Sequence, residues 1–257
     1  MRPVIMVHGA FCGGWTFDDF RRPFEGAGLQ VLTPDLPGHA PGGSVAGLSM
    51  SDYAKAIVAL CRSCEVPPVL VGHSMGGLVA QMAAAQLSQT GTPVGGLVLL
   101  APSPGWGVSG STMEEAVSAM SLYALGPFWL QAIAPDHGLA AAYSLDRFEP
   151  GTRRAVTSRM VPESGRALWE VLNWWLDPFM TTLVAPGAVK APTLVLAGER
   201  DVIHPPVTVR ETARRLGAEY RQMPGMSHWL PGEPGWLDVA AASLRWMAET
   251  VDMEPAA

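Results

Sequence analysis

The sequence predicts an α/β fold: a mostly parallel six-stranded sheet with helices on both faces and a helical cap inserted after the fourth strand. Three observations predict it. Short apolar runs alternate with helical-period stretches through the first hundred residues. From residue 101 to about 189 the alternation stops, and helical stretches dense in aromatics and methionine take over. From residue 192 strand and helix alternate again. Such alternation makes parallel sheets covered on both faces.

The elements follow in order. Pro3 to Val7 is a β-branched strand running into the glycine-rich turn His8-Gly9-Ala10-Phe11-Cys12-Gly13-Gly14-Trp15. Backbone N–H groups in such a turn can be aimed at a ligand. An amphipathic stretch covers Phe17 to Glu25, and a strand covers Leu29 to Leu32. Residues 40–48 read as loop. Ser51 to Arg62 has helical spacing, with Ser49 or Ser51 as N-cap. Pro68 to Val71 is a buried strand, Leu78 to Ala85 a helix, and Gly96 to Leu100 the fourth strand. The insertion reads as helices at Met113–Ala124, Phe128–Ile133, Thr152–Met160 and Gly165–Leu176. Pro192 to Ala197 resumes the sheet. A helix at Pro206–Leu216, a strand at Glu219–Met223 and a helix at Trp236–Thr250 close the chain, the last capped by Glu233-Pro234. These assignments place an α/β core at 1–101 and 190–257 and the cap at 102–189. Gly105, Gly107 and Gly110 are its candidate hinge.

Composition narrows the class. The chain has 257 residues and a net charge of −6 with scattered arginines, so no cationic face for nucleic acid is expected. No apolar run is long enough to span a bilayer, and Val4–Val7 is too short for a secretory signal core. The expectation is a cytoplasmic protein with no membrane partner. Cys61 and Cys64 form a C-x-x-C, but a second pair to complete a zinc site is missing. With Cys12 they are read as reduced thiols.

Gly72-His73-Ser74-Met75-Gly76 joins the third strand to the following helix and carries the chemistry. It is a G-x-S-x-G nucleophile elbow, a sharp corner that exposes a serine hydroxyl at a helix N-terminus. A hydroxyl needs a base, and histidine is matched to the task. Of six histidines, His228 lies in the loop after the last strand, at the carboxyl edge of the sheet where ligands bind. His8 and His73 read as structural, the latter beside the serine but pointing from the opposite side of the elbow. His39 sits in a Pro-Gly turn, His137 in the cap, and His204 near the pocket. A carboxylate must orient the imidazole. Asp201 ends the preceding strand, with Glu199 deeper and Asp35 on a distant strand, and the order Ser…Asp…His fits an elbow. The oxyanion donors are the N–H groups of Met75 and Ala10, with Phe11 as the fallback.

These residues resemble the α/β-hydrolases over nearly the whole chain. The match rests on the His8-Gly9 loop, Asp35-Leu36-Pro37-Gly38-His39, Gly72-His73-Ser74-Met75-Gly76-Gly77, Gly198-Glu199-Arg200-Asp201 and Gly225-Met226-Ser227-His228. The resemblance implies Ser74 as nucleophile, His228 as base, Asp201 as orienting acid, and a sheet lacking the two leading strands of longer members. The loop from His8 to Trp15 is similar to that of the methyl-salicylate esterase and hydroxynitrile lyase branch. The lyases carry threonine where Gly9 stands and lysine where Trp229 stands, so the esterase side is favoured. Epoxide hydrolases and haloalkane dehalogenases have an aspartate nucleophile, against Ser74. The expectation is a cofactor-free serine hydrolase, without a metal, acting on small to medium apolar esters. Lactone, thioester or carbon–carbon bond hydrolysis, cofactor-free haloperoxidase activity and a triad-bearing receptor are the alternatives. Phe11, Trp129 and Trp229 are the candidate substrate contacts, and a homodimer stays open.

Overall fold

The computed structural model describes residues 2–108, 120 and 122–251. Its main sheet has six strands: β1 (Val4–Val7), β2 (Val31–Leu32), β3 (Val69–His73), β4 (Gly96–Leu100), β7 (Thr193–Gly198) and β8 (Glu219–Met223). Their order is β2-β1-β3-β4-β7-β8, and every pairing is parallel. Buried apolar side chains alternate between the faces, as strand geometry requires. Ile5, Val7, Leu70, Leu97, Leu99 and Val195 face one cluster, with α2 (Met50–Arg62), α3 (Met75–Gln89) and α7 (Pro206–Leu216). Val4, Met6, Val69, Val98, Leu100 and Leu194 face the other, with Phe20, α1 (Arg22–Gly26) and α8 (Trp236–Thr250).

Of the two candidate serines, Ser49 is the N-cap of α2. Ser49 Oγ accepts from Ser51 N–H, and the Ser49 N–H donates to the Asp52 carboxylate 3.0 Å away, closing a capping box. The fold diverges most from expectation between β4 and β7. Phe128–Ile133 is not a helix. A 3₁₀ turn at Phe128–Leu130 leads into β5 (Ala132–Ile133), which pairs antiparallel with β6 (Glu163–Ser164). Gly165 explains the arrangement, because a Cβ there would strike the Phe128 carbonyl. The remaining helices of the insertion are shorter than their apolar spacing suggests. They are a single turn, α4 (His137–Leu139), followed by a π-helical stretch at Ala140–Ser144, then α5 (Pro150–Thr157) and α6 (Gly165–Leu172). The helix expected at Met113–Ala124 falls mostly outside the described residues, as does Gly110.

The C-terminal helix is not capped by the Glu233 side chain. Its N-cap is Gly235, at φ +103, and the Glu233 carboxylate turns inward. All three cysteines are free, and burial pushes the Cys12 and Cys61 thiols up to about 12. Among the described residues no helix is long and apolar enough to cross a membrane.

Candidate active site

Three strand ends build the site. At the end of β3, Ser74 holds φ 53 and ψ −125, a conformation sparsely populated for a side chain-bearing residue. The corner is tight: a Cβ on Gly72 would lie 2.6 Å from the Gly76 carbonyl oxygen, and one on Gly76 would strike the carbonyls of Val7 and His8. The turn beyond β1 lies against it, since a Cβ on Gly9 would come within 3.0 Å of Ser74 Cβ. Beyond β4, Ser103 N–H donates to the Ser74 carbonyl over 3.0 Å.

The loops after β7 and β8 bring the other two side chains in. His228 Nε2 accepts from Ser74 Oγ–H at 3.0 Å, and His228 Nδ1–H donates to Asp201 Oδ2 at 2.9 Å. The carboxylate's second oxygen accepts the N–H groups of Ile203 and His204, each at 2.9 Å. Burial alone would raise the Asp201 pKa, but the adjacent His228 and these donors outweigh it and hold the acid below its ordinary range.

The other histidines support the frame. His8 ties the turn together: its Nδ1–H donates to the Gly9 carbonyl, and its Nε2 accepts from Leu36 N–H at 2.9 Å. His73 borders the site's cavity as well. Its ring packs 5.2 Å from that of His228, and its Nε2–H donates to the His228 carbonyl at 3.0 Å. Burial, with His228 beside it, lowers His73 to about 3, so it stays neutral at physiological pH. His204 packs 5.1 Å from His228 and bonds Ser103 Oγ. Glu199 is not deep. It is exposed and accepts from Gly225 N–H, while Asp35 is engaged by Gly14 N–H on the far side.

Met75 is the first residue of α3, where backbone N–H groups have no intrahelical acceptor. Among the described residues no backbone or side-chain acceptor takes the Ala10 N–H. The Phe11 N–H, by contrast, is committed to Glu163. Ser74, His228, Ala10, Phe11 and Trp229 all line one cavity of about 410 Å³. Its walls are otherwise mostly apolar, with Leu122, Ile133, Tyr143, Met160 and Leu168 from the insertion. Trp129 stands apart from it. The 3₁₀ turn points Phe128 inward, so Trp129 is 38% exposed and packs edge-on against Phe128.

Two buried glutamates near the site are not evident from the sequence. Glu163 comes from β6 in the insertion. Glu233 accepts the Ser227 N–H with both oxygens, at 2.9 and 3.1 Å, and so holds the His228 loop from behind. Burial pushes its pKa from an ordinary 4.5 up to about 7. A folded pKa above the unfolded one gives stability that is complete below the unfolded value and is lost as pH climbs through the folded value. Glu233→Gln lacks this titration. The melting-temperature advantage of the native protein over Glu233→Gln is therefore expected to shrink between about pH 5 and pH 8. A constant difference between the two proteins across that range would contradict the assignment.

The sequence model of the alpha/beta hydrolase family matches residues 4–242. The chain belongs to the alpha/beta hydrolase family. This hydrolase is 26% identical over 237 residues to the mouse sn-1-specific diacylglycerol lipase ABHD11, spanning 88% of this chain and 75% of the relative. It is 34% identical over 76 residues to the pyrethroid hydrolase of Sphingobium wenxiniae, a match spanning only 27% of that relative. Its fold matches the crystal structure of methylesterase MES16 from Arabidopsis with a TM-score of 0.74 at 16% identity, covering 97% of this chain and 100% of the other.

Proposed function

We propose that this hydrolase cleaves carboxylic esters of small to medium apolar acids through Ser74, His228 and Asp201. The observation that carries the reading is an unbroken hydrogen-bonded chain, Asp201–His228–Ser74, opening onto an apolar cavity of about 410 Å³. Ser74 Oγ attacks the ester carbonyl carbon while His228 Nε2 takes its proton. Asp201 stabilises the imidazolium, and the N–H groups of Ala10 and Met75 receive the charge developing on the carbonyl oxygen. Collapse expels the alcohol, which takes the proton back from His228. Water, deprotonated by the same imidazole, then releases the acid from the acyl-enzyme. Relatives named lipase and methylesterase are in keeping with ester cleavage.

A series of p-nitrophenyl esters of increasing acyl length tests the reading. Burying one methylene contributes about 0.8 kcal/mol, so kcat/KM should rise up to about fourfold per added carbon until the cavity is full. A thioester and a lactone run alongside separate the reaction classes. Turnover of either of those with none of the esters would overturn the ester assignment.

A further inference from the structure

We propose that Glu163 is a positioning residue for the oxyanion donor: reaching in from the insertion, it anchors the turn after β1 so that the Ala10 N–H faces Ser74. The inference rests on the reading of Ser74 as nucleophile.

Glu163 is completely buried and accepts four hydrogen bonds. Tyr53 O–H and Ser164 N–H donate to one oxygen, each at 2.7 Å. His39 Nε2–H at 3.0 Å and Phe11 N–H at 3.3 Å donate to the other. The second nitrogen of His39 faces the Pro37 carbonyl, so both ring nitrogens sit against acceptors; burial alone would lower the His39 pKa, but the Glu163 carboxylate outweighs it and raises it, favouring the charged ring. Buried charge is tolerated when it is paired and hydrogen-bonded in this way. The fourth donor is the one that matters for the chemistry. Phe11 sits at φ +63, a left-handed conformation costing roughly 1–2 kcal/mol for an L-residue, so the turn needs holding. It is held on both sides of one residue: Phe11 N–H by Glu163, and the Phe11 carbonyl by Val161 N–H at 2.9 Å. With the Phe11 N–H turned toward the insertion, the Ala10 N–H remains to serve the cavity. Gly9 keeps the turn pressed against Ser74.

Glu163→Gln keeps the shape and removes the charge. The probes are p-nitrophenyl butyrate for kcat and KM, and an alkyl trifluoromethyl ketone, which adds to a serine to give a tetrahedral oxyanion. Removing a whole oxyanion donor costs on the order of 10²–10³ in rate. A misaimed donor should therefore lower kcat by about 10- to 100-fold, with KM within about twofold and the ketone weakened by the same factor as kcat. Glu170→Gln is the control. Glu170 is another buried glutamate of the insertion, but it holds Ser49 and Met50 at the start of α2. It should lower the melting temperature and leave kcat within about twofold. A Glu163→Gln protein with unchanged kcat, or with lowered kcat and undiminished affinity for the ketone, overturns the proposal. If Glu163→Gln does not fold, Val161→Pro removes the other tether, and unchanged kcat there overturns it equally. Activity persisting in Ser74→Ala would instead defeat the underlying reading of the nucleophile.

Discussion

Replacing Ser74 with alanine is expected to lower kcat for an ester by roughly 10⁴- to 10⁶-fold while leaving the protein folded. The size follows from the geometry. Ser74 Oγ is the only group at the elbow within hydrogen-bond reach of His228 Nε2, at 3.0 Å. On the proposed mechanism no acyl-enzyme forms without it, and what would survive is binding and the two proposed N–H donors. His228→Ala should cost a similar amount, and the double variant should be no worse than either single one, because the two side chains act as a unit. The backbone strain at position 74 should persist in the variant, since φ 53 is sparsely populated for any residue with a Cβ, alanine included. Kinetics with a p-nitrophenyl ester, together with covalent labelling by a fluorophosphonate, measure it. Retention of even a hundredth of native activity in Ser74→Ala would remove the serine from the reaction.

The second large effect is expected far from the nucleophile in sequence, at Gly198. This residue ends β7, where the strand passes directly beneath the His228 loop. A Cβ there would strike the Ser227 carbonyl oxygen, lie 2.7 Å from its carbonyl carbon, and lie 2.9 Å from the Met226 carbonyl oxygen. The contact is backbone on backbone, so no side chain can rotate away. The loop must move, and it carries His228 one residue beyond the collision. A shift of about 1 Å in a reacting group costs on the order of 10²-fold, so Gly198→Ala should lower kcat/KM by at least that factor. Overpacking should also destabilise the fold by roughly 1–3 kcal/mol, or about 2–4 °C in Tm for each kcal/mol in a chain of this size. Gly151→Ala is the matched control, since a Cβ at that helical position meets nothing within 4 Å. A Gly198→Ala protein with native kcat/KM would show that the loop tolerates the displacement.

The sheet was legible in the sequence because its signals are local. Gly96–Leu100, Pro206–Leu216, Glu219–Met223 and Trp236–Thr250 each carry their apolar period and their punctuation within one segment, and the observed bounds agree. The convergence of Ser74, Asp201 and His228 was legible for a related reason: each follows a strand of one parallel sheet, and parallel strands deliver their ends to the same edge. The insertion was less legible. Phe128–Ile133 has a helical spacing of apolar residues, but pairing with Glu163–Ser164 outweighs it, and that pairing lies some thirty residues downstream. Trp129 looked like a pocket residue because it is aromatic, yet a 3₁₀ turn admits only one of two adjacent rings, and Phe128 took the buried place. The buried glutamates were the hardest to see. Glu163 reads as an ordinary solvated side chain until Tyr53 and Phe11, 110 and 152 residues away, donate to it.

Glu170 has a consequence for how such proteins can be recombined. Its carboxylate accepts Ser49 O–H at 2.9 Å and Met50 N–H at 2.8 Å, so one acceptor for the first turn of a core helix is borrowed from a segment more than a hundred residues later. A chimera that exchanged residues 102–189 for the equivalent stretch of another hydrolase would leave that turn short of a partner. The segment is thus not a detachable module, and a graft that transplanted the cavity walls without a matching anion at position 170 would weaken the scaffold it was meant to decorate.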